Sequence, residues 1–250
     1  MSRRKGKIWI GTSGWHYKHW KGTFYPEGLA DSKQFDFYKK KFKTVELNNS
    51  FYMLPESETF DGWRDAAPKN FLFSVKMSRF ITHMKKLNVG KNEINKFLNR
   101  AAHLGEKLGP VLFQLPPRWK KNVERFERLL NILPKGYRYT FEFRDHTWYD
   151  EEIYALLRKH SASFCIYELE YHTSPIEVTS DLVYIRLHGP GKKYQGSYNK
   201  RTLKKWAERC RKWQKEGRDV FVYFDNDQQG FAAQNALDLS LELGKLGLKV

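Results

Sequence analysis

Polar and apolar residues alternate in about eight short runs of this chain. Thr44, Glu46 and Asn48 alternate with Val45 and Leu47, and Thr140, Glu142 and Arg144 alternate with Phe141 and Phe143. Tyr184, Arg186 and His188 alternate with Val183, Ile185 and Leu187. Alternate residues of a strand share a face. Each run is therefore predicted to be a strand with one apolar face and one face that carries polar groups toward its C-terminal end. The predicted strands are 8–11, 44–48, 71–76, 111–115, 139–144, 163–167, 182–188 and 220–225. Helical patterns over 31–42, 57–66, 91–104, 121–133, 150–160, 200–216 and 231–243 separate most of them. Asp150, followed by Glu151 and Glu152, suits a helix start.

Strands alternating with helices imply parallel pairing. Eight such units in about 250 residues have the rhythm of a single (β/α)8 TIM-type barrel. The sixth unit, 168–181, shows no good helix, so a missing or irregular helix is expected after the sixth strand. A doubly wound open sheet is the alternative fold. No linker or shift of composition divides the chain, so residues 1–250 read as one domain, with 1–7 as a basic N-terminal tail. The apolar stretch after that tail is too short for a signal peptide or a membrane span. Cys165 and Cys210 do not form a plausible disulfide framework, which points to a cytoplasmic location. Cys165 reads as a small core residue.

The apolar face of each strand is expected to meet the outer helices and the other face to enter the barrel. That inward set is unusually polar for such a fold: Glu46, Asn48, Ser74, Lys76, Gln114, Glu142, Arg144, Arg186, His188 and Asp225. Several of these lie at strand C-terminal ends, where barrel enzymes place their chemistry. Carboxylates whose pKa values are pushed apart can serve as acid and base. Glu46, Glu142, Asp225 and His188 are therefore the candidate catalytic residues. Lys76, Arg144 and Arg186 would hold an anion. The same cations oppose a metal centre, and no His-x-x-x-His or Cys-x-x-Cys spacing occurs, so neither a metal nor a cofactor is expected. The competing reading is an internal ion-pair network without turnover, because buried charges need partners.

Two loops add an anion site to this picture. Gly189 lies in His188-Gly-Pro-Gly-Lys-Lys193 after the seventh strand, and Asn226 and Asp227 follow the eighth. Loops in those positions form the usual phosphate site of a barrel. Aromatic residues Trp15, Tyr52 and Trp148 lie in loops after strands and are candidates for stacking on a base or sugar. Each can also simply pack a loop. His83, in the loop after the third strand, is a candidate proton donor or phosphate ligand.

The sequence carries 45 Lys and Arg against 28 Asp and Glu, a net charge of +17. An excess of that size favours contact with a polyanion. Lysine-rich solvated helices are the plainer explanation.

Several motifs resemble the YecE-like family, a domain of unknown function, DUF72. They are Gly11-Thr-Ser-Gly-Trp15, Val45-Glu-Leu-Asn-Asn-Ser-Phe-Tyr52, Phe73-Ser-Val-Lys76, Ile81-Thr-His83, Gln114-Leu-Pro-Pro117, Arg186-Leu-His-Gly189, Tyr223-Phe-Asp-Asn-Asp227, Gly230 and Asn235-Ala236. The resemblance spans nearly the whole chain in order. It implies a TIM-type barrel and no settled activity. Two positions depart from the family pattern. Its fifth-strand motif reads Glu-x-Arg-His-x-Ser-Trp, where this chain has Asp145 at the histidine and His146 next. Its last strand ends Phe-Asn-Asn-Asp, where this chain has Asp225 first.

Two function classes follow. The first is an enzyme, a metal-independent hydrolase or isomerase, that uses carboxylate acid–base chemistry on a phosphorylated or anionic substrate, with nucleic-acid processing as its most attractive form. The second is a non-catalytic module that binds a nucleotide or nucleic acid. A structural scaffold is the third and weakest reading, since packing alone would favour apolar residues inside the barrel and this inward set is polar. No membrane contact is expected, and nothing in the sequence sets the oligomeric state.

Overall fold

A computed structural model describes residues 5–248. The fold is α/β, of the (β/α)8 TIM-type class that the alternation predicts. The strands are β1 Ile8–Thr12, β2 Thr44–Leu47, β3 Leu72–Lys76, β4 Leu108–Gln114, β5 Tyr139–Glu142, β6 Ser163–Leu169, β7 His172–Thr173, β8 Leu182–Leu187 and β9 Asp219–Phe224. The helices are α1 Gln34–Lys41, α2 Asn49–Tyr52, α3 Ser57–Ala66, α4 Lys91–Ala101, α5 Val123–Ile132, α6 Glu151–Lys159, α7 Lys200–Lys215 and α8 Phe231–Lys245.

The chain divides into two compact units. One contains the chain up to Glu46, Ile166–Ile176 and the chain from Asp181 onward; the other is Leu47–Cys165 with Glu177–Ser180. In the first unit the strand order is β1-β9-β8-β6, with β7 on β6. The pairs β1/β9 and β8/β9 are parallel, and the short pair β6/β7 is antiparallel. In the second unit the order runs β6-β5-β4-β3-β2, and the pairs β3/β4, β4/β5 and β5/β6 are parallel. Of the tail, Met1–Arg4 lie outside the described residues. The Gly6 amide donates to the Gln214 carbonyl at 3.0 Å and the Lys7 amide to Asp219 Oδ1 at 3.0 Å.

Local chemistry starts the helices where the sequence places them. The side-chain oxygens of Asn122, Asp150 and Asn199 each accept an amide of the first turn of α5, α6 and α7, at 2.8 to 2.9 Å, which satisfies donors that a helix start otherwise leaves unpaired. In the second unit the apolar strand face meets helix as expected. Phe126 of α5 sits edge-on to Phe141, ring centres 5.0 Å apart, and to Phe143 at 5.6 Å. Both faces of β5 and β8 are buried, as parallel strands require.

No helix joins β6 to β8. The chain instead turns back through Glu170 and Tyr171, both at positive φ. Farther along the connection, Thr179 Oγ1 accepts the Phe164 amide at 2.9 Å and donates to the Ala162 carbonyl at 2.7 Å. Side-chain bonds thus replace the missing helix. Neither cysteine forms a disulfide, and both are buried. Among the described residues no helix is long and apolar enough to cross a membrane.

Candidate functional site

Each unit carries a buried ion-paired cluster at the ends of its strands. In the first, Glu46 of β2 and Arg186 of β8 are both on the face that alternation assigns to the interior. Arg186 Nη2 donates to Glu46 Oε1 at 2.8 Å and Nε to Oε2 at 3.0 Å. Ser13 Oγ donates to Oε1 at 2.8 Å and the Tyr184 hydroxyl to Oε2 at 2.7 Å. Glu46 has no exposed surface and Arg186 1%. A carboxylate so enclosed has its oxygens taken up by these donors, and its placement is that of a positioning group. It does not fit the role of an acid or base touching substrate, and Arg186 does not fit that of an anion clamp.

His188 follows from Arg186. A guanidinium only donates, so Arg186 Nη1, 3.3 Å from His188 Nε2, assigns that nitrogen as the acceptor. The proton then sits on Nδ1, which donates to Asp225 Oδ2 at 3.0 Å. The imidazole is fully buried and both nitrogens are committed. It orients Asp225. Asp225 is also 3.3 Å from Arg186 Nη2 and keeps 18% of its side chain exposed. It is the expected catalytic carboxylate that retains a solvent face.

Asp227 forms a second aspartate–histidine pair in this unit. Its Oδ1 accepts the Trp20 indole N–H at 2.6 Å, and its Oδ2 lies 2.9 Å from His19 Nε2. Burial, with a contribution from neighbouring Asp225, pushes the Asp227 pKa up to about 6. His19 has 45% of its side chain exposed. Sequence reasoning missed His19, because no spacing ties a loop histidine to a carboxylate at the far end of the chain. Tyr17 lies beside this group; burial first, and then Asp225, Asp227 and Glu46, raise its phenol pKa.

In the two loops expected to bind an anion, Gly189 and Asn226 are engaged within the protein, while Lys192 and Lys193 are exposed. Gly189 donates its amide to the Tyr198 hydroxyl at 3.0 Å. Asn226 is buried, and its Nδ2 donates to the Gly196 carbonyl and to Asn235 Oδ1, both at 2.8 Å. Trp15 is half-buried against Phe35, ring centres 5.0 Å apart.

The second unit's cluster has a different balance. Arg144 Nε donates to Glu142 Oε1, and the Cys165 thiol lies 3.8 Å from Oε2. Glu142, like Glu46, has no exposed surface. Lys76 ends β3 with its Nζ over the Phe51 ring at 4.3 Å. Ser50 Oγ donates to the Lys76 carbonyl at 2.7 Å and so ties the start of α2 to β3. Asn48 precedes α2, and its Oδ1 is buried without a hydrogen-bond partner. Gln114 is half-buried, its amide donating to the Leu115 carbonyl at 3.1 Å.

His83 lies in a π-type turn, Phe80–Met84, after β3. Such turns are rare and occur often at functional sites. Its ring stands edge-on to Phe51, centres 5.0 Å apart. Thr82 Oγ1 donates to the Ser78 carbonyl at 3.0 Å and is 2.9 Å from His83 Nδ1. The hydroxyl has one proton and gives it to the carbonyl, so Nδ1–H donates and Nε2 carries the lone pair. Burial, and then Lys76, Arg79 and Arg144, lower the His83 pKa to about 4. At neutral pH it is an uncharged imidazole in a positive field.

Trp148 is fully buried. Its indole N–H donates to the Trp119 carbonyl at 2.6 Å and its ring stacks on Phe143 at 5.0 Å, which makes it a packing residue. Tyr52, by contrast, is 79% exposed. Among the described residues, no group of three or more His, Cys, Asp or Glu side chains is placed to hold a metal ion.

Residues 9–249 match the family model described as protein of unknown function DUF72. This chain belongs to the DUF72 family. It is 29% identical to a DUF72 protein of Thermotoga maritima, over 96% of this chain and 98% of that one, with a TM-score of 0.85. A DUF72 protein of Enterococcus faecalis, 22% identical over 95% of each chain, shares the fold with a TM-score of 0.83. The UPF0759 protein YunF of Bacillus subtilis is 26% identical over 94% of each chain. Within this DUF72 chain, the departure at Asp145 has a local use. Its Oδ1 accepts the Thr147 amide at 3.0 Å and hydroxyl at 2.6 Å. Those bonds cap the turn His146–Trp148 and hold the Asp145 pKa below the ordinary carboxylate range.

Proposed function

We propose that this protein is an enzyme, a metal-independent hydrolase or isomerase, that binds a phosphorylated or otherwise anionic substrate at the cluster of Lys76, His83 and Arg144. The observation that carries this reading is the half-buried, uncharged His83 flanked by cations. Lys76 and Arg144 supply the attraction, and Glu142 orients Arg144. An anion bound there offsets the field that depresses His83. Its pKa then rises toward the working range of a general base, and Nε2 takes a proton from a water or a substrate hydroxyl. Two buried cysteines outside any disulfide fit a reducing cytoplasm.

A non-catalytic module for a nucleotide or nucleic acid is the second reading. The burial of Glu46 and Glu142 against Arg186 and Arg144 favours it, since two of the expected acid–base groups are enclosed. One experiment addresses both. The His83 ring signals are followed by NMR as inorganic phosphate is added, and a panel of phosphorylated sugars and nucleotides is assayed for turnover. Phosphate should raise the His83 pKa, and Lys76→Gln should weaken that effect about tenfold. His83→Asn should abolish any turnover found. Phosphate binding with no turnover across the panel supports the module. Phosphate that leaves His83 unmoved overturns the site.

A further inference from the structure

We propose that the ligand of this cluster is a single-stranded nucleic acid whose unstacked bases lie against Tyr52 and Phe80; this rests on the anion site proposed above. Four large apolar side chains around His83 face solvent. Tyr52 and Met53 are each 79% exposed, Met84 68% and Phe80 42%. They belong to two segments that meet at Phe51. The Tyr52 ring is 5.0 Å from the Phe51 ring, which in turn is 5.0 Å from His83. Phe80 and Met84 open and close the turn that carries His83.

Isolated exposed apolar residues need no explanation, but grouped ones mark a binding surface. Charge selects the occupant. Lys85 Nζ stands over the Phe80 ring at 5.5 Å and Lys76 Nζ over Phe51 at 4.3 Å. Arg79 just before this turn and Lys86 just beyond it are exposed. Aromatic planes interleaved with cations match a strand of bases and phosphates, and every base has a face to stack. A second copy of this chain would set a +17 protein against another. A duplex buries its base faces and offers only phosphates.

The test uses the full chain and a short fluorescein-labelled oligodeoxythymidine, read by anisotropy, with a duplex of the same length as comparison. The single strand should bind at least about tenfold more tightly than the duplex, with affinity falling steeply as salt rises. Tyr52→Ala and Phe80→Ala should each cost about tenfold in oligonucleotide affinity. Both should leave the phosphate-induced shift of His83 intact. Because both side chains are exposed, these variants retain the fold. Wild-type affinity in the double variant, or equal binding of duplex, overturns the stacking surface while leaving the anion site standing. Loss of the phosphate shift in the wild type overturns the anion site itself. Concentration-dependent dimers that Tyr52→Ala and Phe80→Ala abolish would assign the patch to a second copy and also overturn the proposal.

Discussion

Arg186 grips Glu46 side-on, with Nη2 2.8 Å from Oε1 and Nε 3.0 Å from Oε2, and neither side chain reaches solvent. Removing Arg186 leaves Glu46 buried without its cation, and neutralising Glu46 leaves Arg186 facing Asp225 across a longer contact of 3.3 Å. Glu46→Gln and Arg186→Met should each cost about 3–5 kcal/mol in urea unfolding. The double variant Glu46→Leu with Arg186→Met should be more stable than either single one, because a matched apolar replacement often costs little. A double variant as unstable as the sum of the singles would show that the pair is not one unit.

Alternation made much of this legible. It placed Glu46, Arg186 and Glu142 on interior faces, and caps such as Asp150 placed helix starts. It could not give depth. Glu46 and Asp225 occupy comparable positions in the pattern, yet one is sealed by Ser13, Tyr184 and Arg186 and the other keeps a solvent face. That difference depends on side chains from other strands and from the β1 loop. The partnership of His19 with Asp227 was invisible for the same reason. Trp148 was misplaced because a tryptophan just past a strand looks the same whether its ring turns out to a ligand or back onto Phe143.

The sequence makes Gly189 a backbone position for a ligand, and its geometry gives a different reason for glycine. Its φ is +113°, and a Cβ there would stand 2.3 Å from the Gln195 carbonyl oxygen. Gly189→Ala should therefore destabilise by about 1–3 kcal/mol from backbone strain alone, with the contact adding to it. Thermal unfolding measures the loss. An alanine variant with unchanged Tm would mean that the His188–Gln195 loop can move aside.

Asp227 should make stability fall as pH rises. Its folded pKa stands near 6 against an ordinary 3.8, raised chiefly by burial. Between those values the folded state binds more protons than the unfolded one, so stability declines with pH and the full penalty is present above about pH 6. Asp227→Asn keeps an acceptor for Trp20 and removes the charge. It should melt higher than wild type near pH 8, and the advantage should vanish by about pH 4. An advantage that persists unchanged in acid would place its cause elsewhere than the ionisation of Asp227.

His83 should give the opposite slope. Its folded pKa, about 4, lies below the ordinary 6.5 because burial and then Lys76, Arg79 and Arg144 oppose the imidazolium. Between those values the unfolded state binds more protons, so the contribution of His83 is complete above about pH 6.5 and is lost as pH falls toward 4. The group is only half-buried, and screening by solvent reduces the effect to on the order of 1 kcal/mol. His83→Asn should therefore flatten the stability profile in that window and leave it unchanged above neutrality. The ring proton shifts of His83 should titrate near 4 without added anion. Lys76→Gln should move that midpoint upward by removing one of the opposing charges. A midpoint near 6.5 in the wild type would show that the cations do not act on this imidazole.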